Sequence, residues 1–386
     1  MTKPNGSAPP TQPASVVRRQ LLVGSAALGA LPNALAHVAT PSTAHNAEEI
    51  RHMVGRLLVM GLPARSATDE SAQVLAQQLR TGQVAGSLLL RHNTRSRDGL
   101  LSLTDLFINA EPKVLNAVDQ EGGLVQRLAP QFGFTDIPKA KWVAENLSPS
   151  KARELYTLAA REMRSAGFNL NLAPSVDVHD PINPVIGKYG RSFSTNPGTI
   201  THFANEFITG MRSAGVACTL KHFPGHGSSR TDSHDGFVDI EKTWKYEELL
   251  PFQNLANNAP LIMGGHLFHP IFSQREKPVT FSHRAIALLL RHKLRYPGVI
   301  VTDDLDMGAI RKRFSMRDAV IGALQAGNDL LLVSNSLNYN PRLPELIAQW
   351  AVDAVSTGEL RMSSISAAYH RVSALRERYA IATPIT

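Results

Sequence analysis

Cysteine is nearly absent from the chain, which has one thiol, Cys218, among 386 residues. A single cysteine cannot form an internal disulfide, and its place in the apolar run V-A-C-T-L predicts a small buried side chain. Long apolar runs are scarce too. The run at residues 21–35 is short and interrupted by glycine, so we expect no stable membrane span there.

Acidic residues are missing from the first 36 positions, where Lys3, Arg18 and Arg19 contribute three of the eight net positive charges. Without those three, 37 basic and 32 acidic side chains remain, a net charge of +5. The chain has no basic run and no alternation of basic with aromatic residues. This composition argues against a nucleic-acid partner.

The N-terminal segment is organised like an export signal. A polar stretch ends at Arg18 and Arg19, an apolar run of small residues follows, and A-L-A at 34–36 resembles a peptidase site. The paired arginines resemble a twin-arginine signal. We therefore expect residues 1–36 to be a signal peptide, residues 37–46 a linker, and the protein to be exported, to the periplasm. The alternative is an extension kept on a cytoplasmic protein.

Eight short apolar runs alternate with amphipathic helical stretches after residue 46. Strand followed by helix, eight times within roughly 300 residues, predicts an α/β fold closed as a (β/α)8 TIM barrel, regular or irregular. We expect it to form a single domain over residues 47–380. A doubly wound open sheet is the alternative, but no G-x-G-x-x-G follows the first run. The runs lie at residues 57–61, 84–90, 114–119, 168–173, 216–221, 261–266, 298–303 and 329–333.

Capping residues mark several helix starts. Ser148 precedes a proline, which suits the first helical position, and Asn340 repeats the pattern near the C-terminus. Ser315 with Asp318 forms a predicted capping box. Helical spacing places Leu158 on the buried face of the helix that follows Ser148.

Polar side chains are concentrated directly after the predicted strands, where a barrel places its active site. The densest cluster is K-H-F-P-G-H-G-S-S-R-T-D-S-H-D-G at residues 221–236. V-D-Q-E-G-G-L-V-Q-R at 118–127, P-S-V-D-V-H-D-P at 174–181 and T-D-D-L-D-M at 302–307 follow other strands. The sequence therefore predicts a polar pocket at the carboxyl ends of the strands.

Asp303 follows the apolar run G-V-I-V-T, so a barrel would hold its carboxylate at the rim of the central pocket. On residue type alone it can be a nucleophile, a metal ligand or the cap of the next helix. In D-D-L-D, the cap role suits Asp304 or Asp306 as well.

Asp232 and His234 are two positions apart in D-S-H. In an extended segment their side chains project to the same side, so the carboxylate can orient the imidazole and stabilise its protonated form. The pair suits a general acid and base, and a purely structural hydrogen bond is the alternative. Glycines flank this loop, and we expect it to move in when substrate binds.

Five further residues are candidates for holding a substrate. Lys221 and His222 end a strand and can donate to substrate hydroxyls, or they can form a salt bridge in the barrel mouth. Asp119 and Arg127 flank a double glycine, which lets backbone approach a ligand closely, and an acid can accept from paired sugar hydroxyls. Arg191 is another cation able to enter the pocket. Each of the last three is alternatively a surface salt-bridge partner.

A metal centre is the rival interpretation of the densest cluster. His222, His226, Asp232 and His234 could compose a zinc site. No H-x-H or H-E-x-x-H spacing is present, however, and Lys221 would place a positive charge beside the ion. We therefore expect no metal and no other cofactor.

The motifs V-D-Q-E-G-G-x-V-Q-R, K-H-F-P-G-H-G with D-S-H, and V-T-D-D-L-D-M occur in this order. Together they closely resemble family 3 glycoside hydrolases of the single-domain β-N-acetylglucosaminidase branch, over about residues 50–375. The resemblance implies a retaining exo-β-N-acetylglucosaminidase that forms a covalent glycosyl-aspartate. It also implies a carbohydrate substrate, such as peptidoglycan fragments or related GlcNAc-containing glycans. We expect a monomer.

By the same resemblance Asp303 is the nucleophile, and His234 is the acid/base, oriented by Asp232. The family's β-glucosidases use a glutamate from a second domain instead, and no second domain is expected here. That difference, together with D-S-H, favours an N-acetylhexosaminidase. The sugar-binding positions of the family map onto Asp119, Arg127, Arg191, Lys221 and His222.

Three positions depart from the family pattern. Ser228 stands where an acid is usual, Leu124 where an arginine is often found, and Asp235 where an apolar residue usually follows the histidine. Two other functions therefore stay open: a metal-dependent hydrolase on the same fold, and a catalytically weak sugar-binding relative. The resemblance identifies neither the aglycone nor whether phosphate can replace water as acceptor.

Overall fold

The structure is a computed structural model that describes residues 47–274, 277–336 and 338–381. The predicted signal peptide and linker, residues 1–46, lie outside the described residues. Within the described part of the chain, no helix is both long and apolar enough to cross a bilayer.

Eight parallel strands form a barrel in chain order. The first seven strands pair in succession along the chain, the eighth pairs with the first, and one isolated bridge closes the ring between the seventh and the eighth. The predicted (β/α)8 class and all eight predicted strands are confirmed, and the open-sheet alternative is wrong. The strands are β1 Leu58–Gly61, β2 Gly86–Leu89, β3 Leu115–Val118, β4 Leu170–Asn171, β5 Ala217–Phe223, β6 Leu261–Gly264, β7 Val299–Thr302 and β8 Leu331–Val333.

The ring is joined most sparsely between β7 and β8. One parallel bridge, between Val301 and Leu330, connects them. Two side chains reinforce it, because Leu332 N donates to Thr302 Oγ1 (3.1 Å) and Ser334 N donates to Asp304 Oδ1 (2.9 Å). Side-chain acceptors therefore replace part of the backbone ladder at this seam.

The barrel strands are short apolar runs because both of their faces are covered. Every residue of β1, β2, β3, β6 and β7 is buried, as expected for a parallel sheet with helices outside and side chains filling its interior. Buried polar residues of neighbouring strands pair with one another. Ser87 Oγ donates to Asn116 Oδ1 (2.8 Å), and Asn116 Nδ2 donates to the Gly167 carbonyl (2.9 Å).

Helices surround the ring, joined by 3-10 turns at Pro130–Phe132, Tyr246–Leu249 and Val279–Phe281 and by a π-helical segment at Arg284–Lys293. A short hairpin of Gln120–Gly122 and Val125–Gln126 follows β3, and Val238–Asp239 pairs with Leu267–Phe268. The helices are α1 Ala47–Gly55, α2 Glu70–Arg80, α3 Arg97–Ala110, α4 Ala140–Asn146, α5 Pro149–Ser165, α6 Pro197–Ser213, α7 Leu250–Leu255, α8 Gly308–Arg311, α9 Met316–Ala326, α10 Leu343–Ser356 and α11 Met362–Arg378.

Two of the helix predictions are confirmed by their capping bonds. Ser148 Oγ accepts from Lys151 N at the start of α5. Ser315 Oγ accepts from Asp318 N, which is one of the two bonds of the predicted capping box at the start of α9. The Ser315 hydroxyl also donates to the Asp318 carboxylate.

Two details of the helix predictions are wrong. Leu158 is 49% exposed, because the buried stripe of α5 is rotated toward Tyr156 and Met163. Near the C-terminus, Asn340 Oδ1 accepts from Arg342 N in a local turn, so α10 begins only at Leu343. A side chain that bonds its own backbone two residues on competes with the helix for that donor.

Asp329 ties the amino end of the barrel together. Its fully buried carboxylate accepts from Ile300 N (2.8 Å), from Arg291 Nη2 (2.5 Å) and from Arg371 Nε (2.9 Å). It therefore links β7 to the π-helical segment and to α11. The partners stabilise the buried carboxylate, and its removal would leave the two guanidinium groups without a counter-ion.

We expect Asp329→Ala to lower the free energy of unfolding by about 3–5 kcal/mol, since it leaves two partly buried guanidinium groups without their anion. Urea unfolding followed by far-UV circular dichroism measures the change. Glu154→Ala is the control, because it removes an exposed carboxylate that pairs with Lys151 on the surface of α5. An equal loss in both variants would contradict the special role of Asp329.

Candidate active site

A pocket of about 360 Å³ opens at the carboxyl ends of the strands. This volume is within the range of about 300–1,000 Å³ typical of small-ligand sites. Seven of the eight predicted site residues line it, and Asp232, the eighth, contacts one of them. The seven are Asp119, Arg127, Arg191, Lys221, His222, His234 and Asp303.

Asp303 lies immediately after β7, and its backbone N–H donates to the Gly264 carbonyl at the end of β6 (3.1 Å). Burial by itself raises the pKa of this carboxyl. The positive charges that His266, His222 and His234 can carry, and a hydrogen bond from Asp304 N, outweigh burial and leave the pKa below its ordinary value of 3.8. Asp303 is therefore a carboxylate that faces the pocket across the whole neutral range.

The capping interpretation of these aspartates is wrong, because none of them occupies the cap position of α8, and Asp304 instead holds the turn that precedes this helix. Asp304 Oδ1 accepts from Asp306 N (3.0 Å) and from Ser334 N (2.9 Å), which fixes the turn after β7. Burial raises the pKa of Asp304 to about 6. The residue that precedes α8 is Met307, so Asp303 does not cap that helix.

Asp232 and His234 contact each other as predicted, but through a different backbone geometry. The segment 233–235 is a turn and not an extended stretch. Asp232 Oδ1 accepts both from His234 N (2.8 Å) and from the ring Nδ1 of His234 (2.7 Å). Asp235, the extra acid of this loop, has an exposed side chain. The aspartate thus holds both the backbone and the imidazole of His234.

The loop that carries His234 is docked on α8, the helix that follows Asp303. Ala309 N donates to the Ser233 carbonyl (3.1 Å), and Lys312 Nζ donates to the Asp235 carbonyl. Gly308 leaves room for this contact, because a Cβ there would lie 2.3 Å from the carbonyl oxygen of His234. Ser233 and His234 of this loop line the pocket, and movement of the loop on substrate binding stays a prediction.

Lys221 and Arg191 are held by one buried carboxylate, Glu121. Lys221 Nζ contacts Glu121 Oε1 (2.7 Å) and Asp119 Oδ1 (2.8 Å), and Arg191 donates twice to Glu121 (2.7 and 2.8 Å). Lys221 is therefore both a salt-bridge partner and a pocket-lining donor.

Electrostatics keep this network ionised. Burial alone would raise the pKa of Glu121, but Arg191 and Lys221 lower it far below the usual range. Burial would likewise lower the pKa of Lys221, and the two acids raise it. The sequence interpretation missed Glu121. The available signal was its position two residues after Asp119 in V-D-Q-E.

A second buried carboxylate, Asp177, orients His222. Asp177 Oδ2 accepts from the ring Nδ1 of His222 (2.8 Å), and Oδ1 accepts from the backbone N–H groups of His222 (3.0 Å) and His226 (2.7 Å). The Ser175 hydroxyl donates to it as well. Because Nδ1 donates to Asp177, Nε2 is the atom of His222 left to meet a ligand. Asp177 lies in the P-S-V-D-V-H-D-P segment after β4, and the sequence predicts no individual role for it.

Arg127 brings a donor to the pocket that the protein itself leaves unused. Among the described residues, its buried Nε has no hydrogen-bond partner. The backbone N–H of Arg127 donates to Gln120 Oε1 (3.0 Å), which fixes the start of the side chain. An orphaned buried N–H is costly, so a ligand acceptor at this position would relieve the cost.

The histidines proposed for a zinc site are occupied separately. His222 is bound by Asp177 and His234 by Asp232, whereas His226 contacts Ser229 Oγ (2.7 Å) and Ser233 Oγ (3.3 Å). Burial, reinforced by His222, lowers the pKa of His226 to about 4. In the part of the chain that the structure describes, no three His, Cys, Asp or Glu side chains converge to hold a metal ion.

Known proteins resemble this chain in sequence and in fold. A family model described as the glycosyl hydrolase family 3 N terminal domain matches residues 48–375. Beta-hexosaminidase A of Pseudoalteromonas piscicida is 32% identical over 341 residues, which cover 81% of this chain and 56% of that protein. Beta-hexosaminidase LpqI of Mycobacterium tuberculosis is 35% identical over 339 residues, which cover 84% of this chain and 82% of that protein.

Among solved structures, a glycoside hydrolase family 3 β-N-acetylglucosaminidase from Paenibacillus sp. str. FPU-7 superposes with a TM-score of 0.77 at 30% identity. The match covers 87% of this chain and 64% of that one. The chain thus spans less than two thirds of the length of the Paenibacillus and Pseudoalteromonas proteins.

The family model spans most of the chain, and curated relatives reach 35% identity over most of its length. The same (β/α)8 barrel is found in the solved family member. The chain belongs to glycoside hydrolase family 3.

Proposed function

We propose that this protein is an exo-β-N-acetylglucosaminidase that removes terminal GlcNAc residues with retention of configuration. The observation that carries the proposal is a single pocket shared by an ionised, half-buried carboxylate, Asp303, and a carboxylate-bound histidine, His234. The relatives supply the sugar, since they are named as β-hexosaminidases and a β-N-acetylglucosaminidase.

The reaction has two steps with balanced proton transfers. In the first, an oxygen of Asp303 attacks the anomeric carbon, the bond to the aglycone oxygen breaks, and His234 gives that oxygen its proton. In the second, His234 takes a proton from water, whose oxygen displaces Asp303 from the sugar. A neutral imidazole as base keeps a second negative charge away from the glycosyl ester and the 2-acetamido group.

The rest of the pocket holds and orients the sugar. In this proposal Asp119 accepts from sugar hydroxyls, and Lys221, Arg191, Arg127 and His222 donate; the support is that all five line the pocket. Because these side chains start on strands or are clamped by Glu121 and Asp177, the pocket is pre-organised.

We expect Asp303→Asn to lower kcat for 4-nitrophenyl β-GlcNAc by about 10³-fold or more, because no other carboxylate of the pocket replaces the nucleophile. Initial rates at pH 7 measure the loss. Asp306→Asn is the matched control. It changes a carboxylate of the same turn that pairs with Arg311 outside the pocket, and it should keep activity within a few-fold.

The same assay tests the metal alternative. EDTA should leave the wild-type rate unchanged, whereas a loss that zinc restores would favour a metal-dependent hydrolase. Wild type without activity on any β-GlcNAc substrate would favour a sugar-binding relative.

His234→Ala is expected to lower kcat by about 10²–10⁴-fold for a GlcNAc disaccharide, since both steps lose their proton carrier. The loss should be smaller for 4-nitrophenyl β-GlcNAc, because nitrophenolate leaves with little protonation. Paired measurements on the two substrates give the ratio. Equal losses on both, or full activity on either, would argue against His234 as the acid.

We further propose that the protein is exported and meets peptidoglycan fragments or other GlcNAc-containing glycans outside the cytoplasm. The support is the Arg18-Arg19 pair, the apolar run after it and the A-L-A segment. A twin-arginine pathway carries folded proteins, which suits a closed barrel.

Replacing Arg18 and Arg19 together with lysine should hold the protein in the cytoplasm at full length. Wild type should be found in the periplasm with His37 as its first residue. Cell fractionation with N-terminal sequencing reads both outcomes. Uncleaved wild type in the cytoplasm would overturn the export proposal without affecting the proposed activity.

A further inference from the structure

The loop that carries His234 is held at its base by a buried acid that no motif marks. Glu248, in the Tyr246–Leu249 turn, is 2% exposed. Its Oε2 accepts from Gly227 N (3.0 Å), and its Oε1 accepts from the Ser228 hydroxyl (2.5 Å). Trp244, just before this turn, donates from Nε1 to the Pro224 carbonyl (3.1 Å).

Close packing leaves the base of the loop little freedom. A Cβ at Gly225 would lie 2.5 Å from Cβ of Glu248, and one at Gly227 would lie 1.9 Å from the Val178 carbonyl oxygen. The backbone therefore runs between Glu248 on one side and Val178 on the other. Removing the Glu248 side chain would open a space directly under this backbone.

A chain of contacts leads from Glu248 to His234. Next to the clamped Gly227, His226 bridges the two limbs of the loop, with Nδ1 on Ser229 Oγ (2.7 Å) and Nε2 on Ser233 Oγ (3.3 Å). Ser233 then accepts from Ala309 N on α8 and is followed directly by His234. The base of the loop is thus anchored by Glu248, and its tip is anchored by the helix that follows the nucleophile.

We propose that Glu248 is a positioning residue for the reaction, which fixes the loop so that His234 is held over Asp303. The inference rests on the proposed role of His234. Glu248 itself is bonded to Gly227 and Ser228 and does not line the pocket, so it acts through the loop and not on the substrate.

The anchor is built to hold in either protonation state. Burial, together with the nearby charge of Asp177, raises the pKa of Glu248 to about 7. When the acid is protonated, Oε2 can still accept from Gly227 N, and the Ser228 hydroxyl can turn to accept the new proton. If residue 228 were an acid, the two carboxyl groups could keep this contact only by sharing a proton. Ser228 therefore suits a clamp that works across neutral pH.

Glu248→Leu and Glu248→Gln test the clamp. The glutamine keeps an acceptor for Gly227 and a donor for Ser228, so we expect near wild-type kcat. The leucine keeps the volume and loses both bonds, so kcat should fall by about 10²-fold, the scale expected for a catalytic group displaced by about 1 Å. KM should change by no more than about threefold, because the sugar-holding residues are fixed elsewhere.

Glu162→Leu is the matched control. Glu162 accepts from the N–H (2.7 Å) and the hydroxyl (2.8 Å) of Thr135, the same pair of bonds on a loop that does not carry His234. It should lower the thermal midpoint without the loss in kcat. If Glu162→Leu lowers kcat as much as Glu248→Leu, or if Glu248→Leu keeps wild-type kcat, the proposal is overturned.

Limited trypsin digestion measures how accessible the loop is to cleavage, without an activity assay. Cleavage after the exposed Arg230 should be faster in Glu248→Leu than in wild type and unchanged in Glu248→Gln, as measured by mass spectrometry. Unchanged cleavage in the leucine variant would contradict the clamp even if the proposed activity were absent. If the leucine variant does not fold, Ser228→Ala removes one of the two bonds, and wild-type kcat and cleavage there would overturn the proposal.

Discussion

The pocket depends on the requirement that a buried charge must have a partner. Glu121 meets that requirement for Lys221 and Arg191 at once, and the buried Asp177 carboxylate meets its own by accepting hydrogen bonds from His222 and His226. Glu121 follows β3, and its partners come from the loop after β4 and from β5, whereas Asp177 follows β4 and its partner His222 lies in β5. The barrel brings these ends together, and the ion pairs then fix side chains that would otherwise be long and mobile.

The two proposed reacting groups are held in different ways. Asp303 follows a strand end and lies within electrostatic reach of three imidazoles, so its position and charge follow from the barrel itself. His234 belongs to a loop and depends on contacts at both of the loop's ends. The position of Asp303 is therefore set by the barrel, whereas the position of His234 is set by the contacts of its loop.

The sequence predicts the strands and Asp303 well because both are local signals: an apolar run gives the strand, and an acid after it gives the rim position. It predicts the Asp232–His234 pair but not its turn, since side-chain spacing does not report backbone conformation. It does not reveal Glu121 or Asp177, whose partners lie 70 and 45 residues away and come near only when the ring closes. Glu248 is hidden for the same reason. The prediction for Leu158 is wrong because apolar residues lie on more than one side of α5, so the sequence does not decide which side of the helix is buried.

Because β7 and β8 share only a sparse backbone join, the position of Asp303 depends on the first as well as the last strand of the barrel. β8 is anchored to β1, the first strand to be synthesised, and the turn that presents Asp303 is pinned to β8 through Ser334 and Leu332. The contacts that fix the turn around Asp303 therefore include the last strand of the barrel, which is itself placed by the first. The proposed nucleophile position is in this sense a property of the closed ring and not of any one strand.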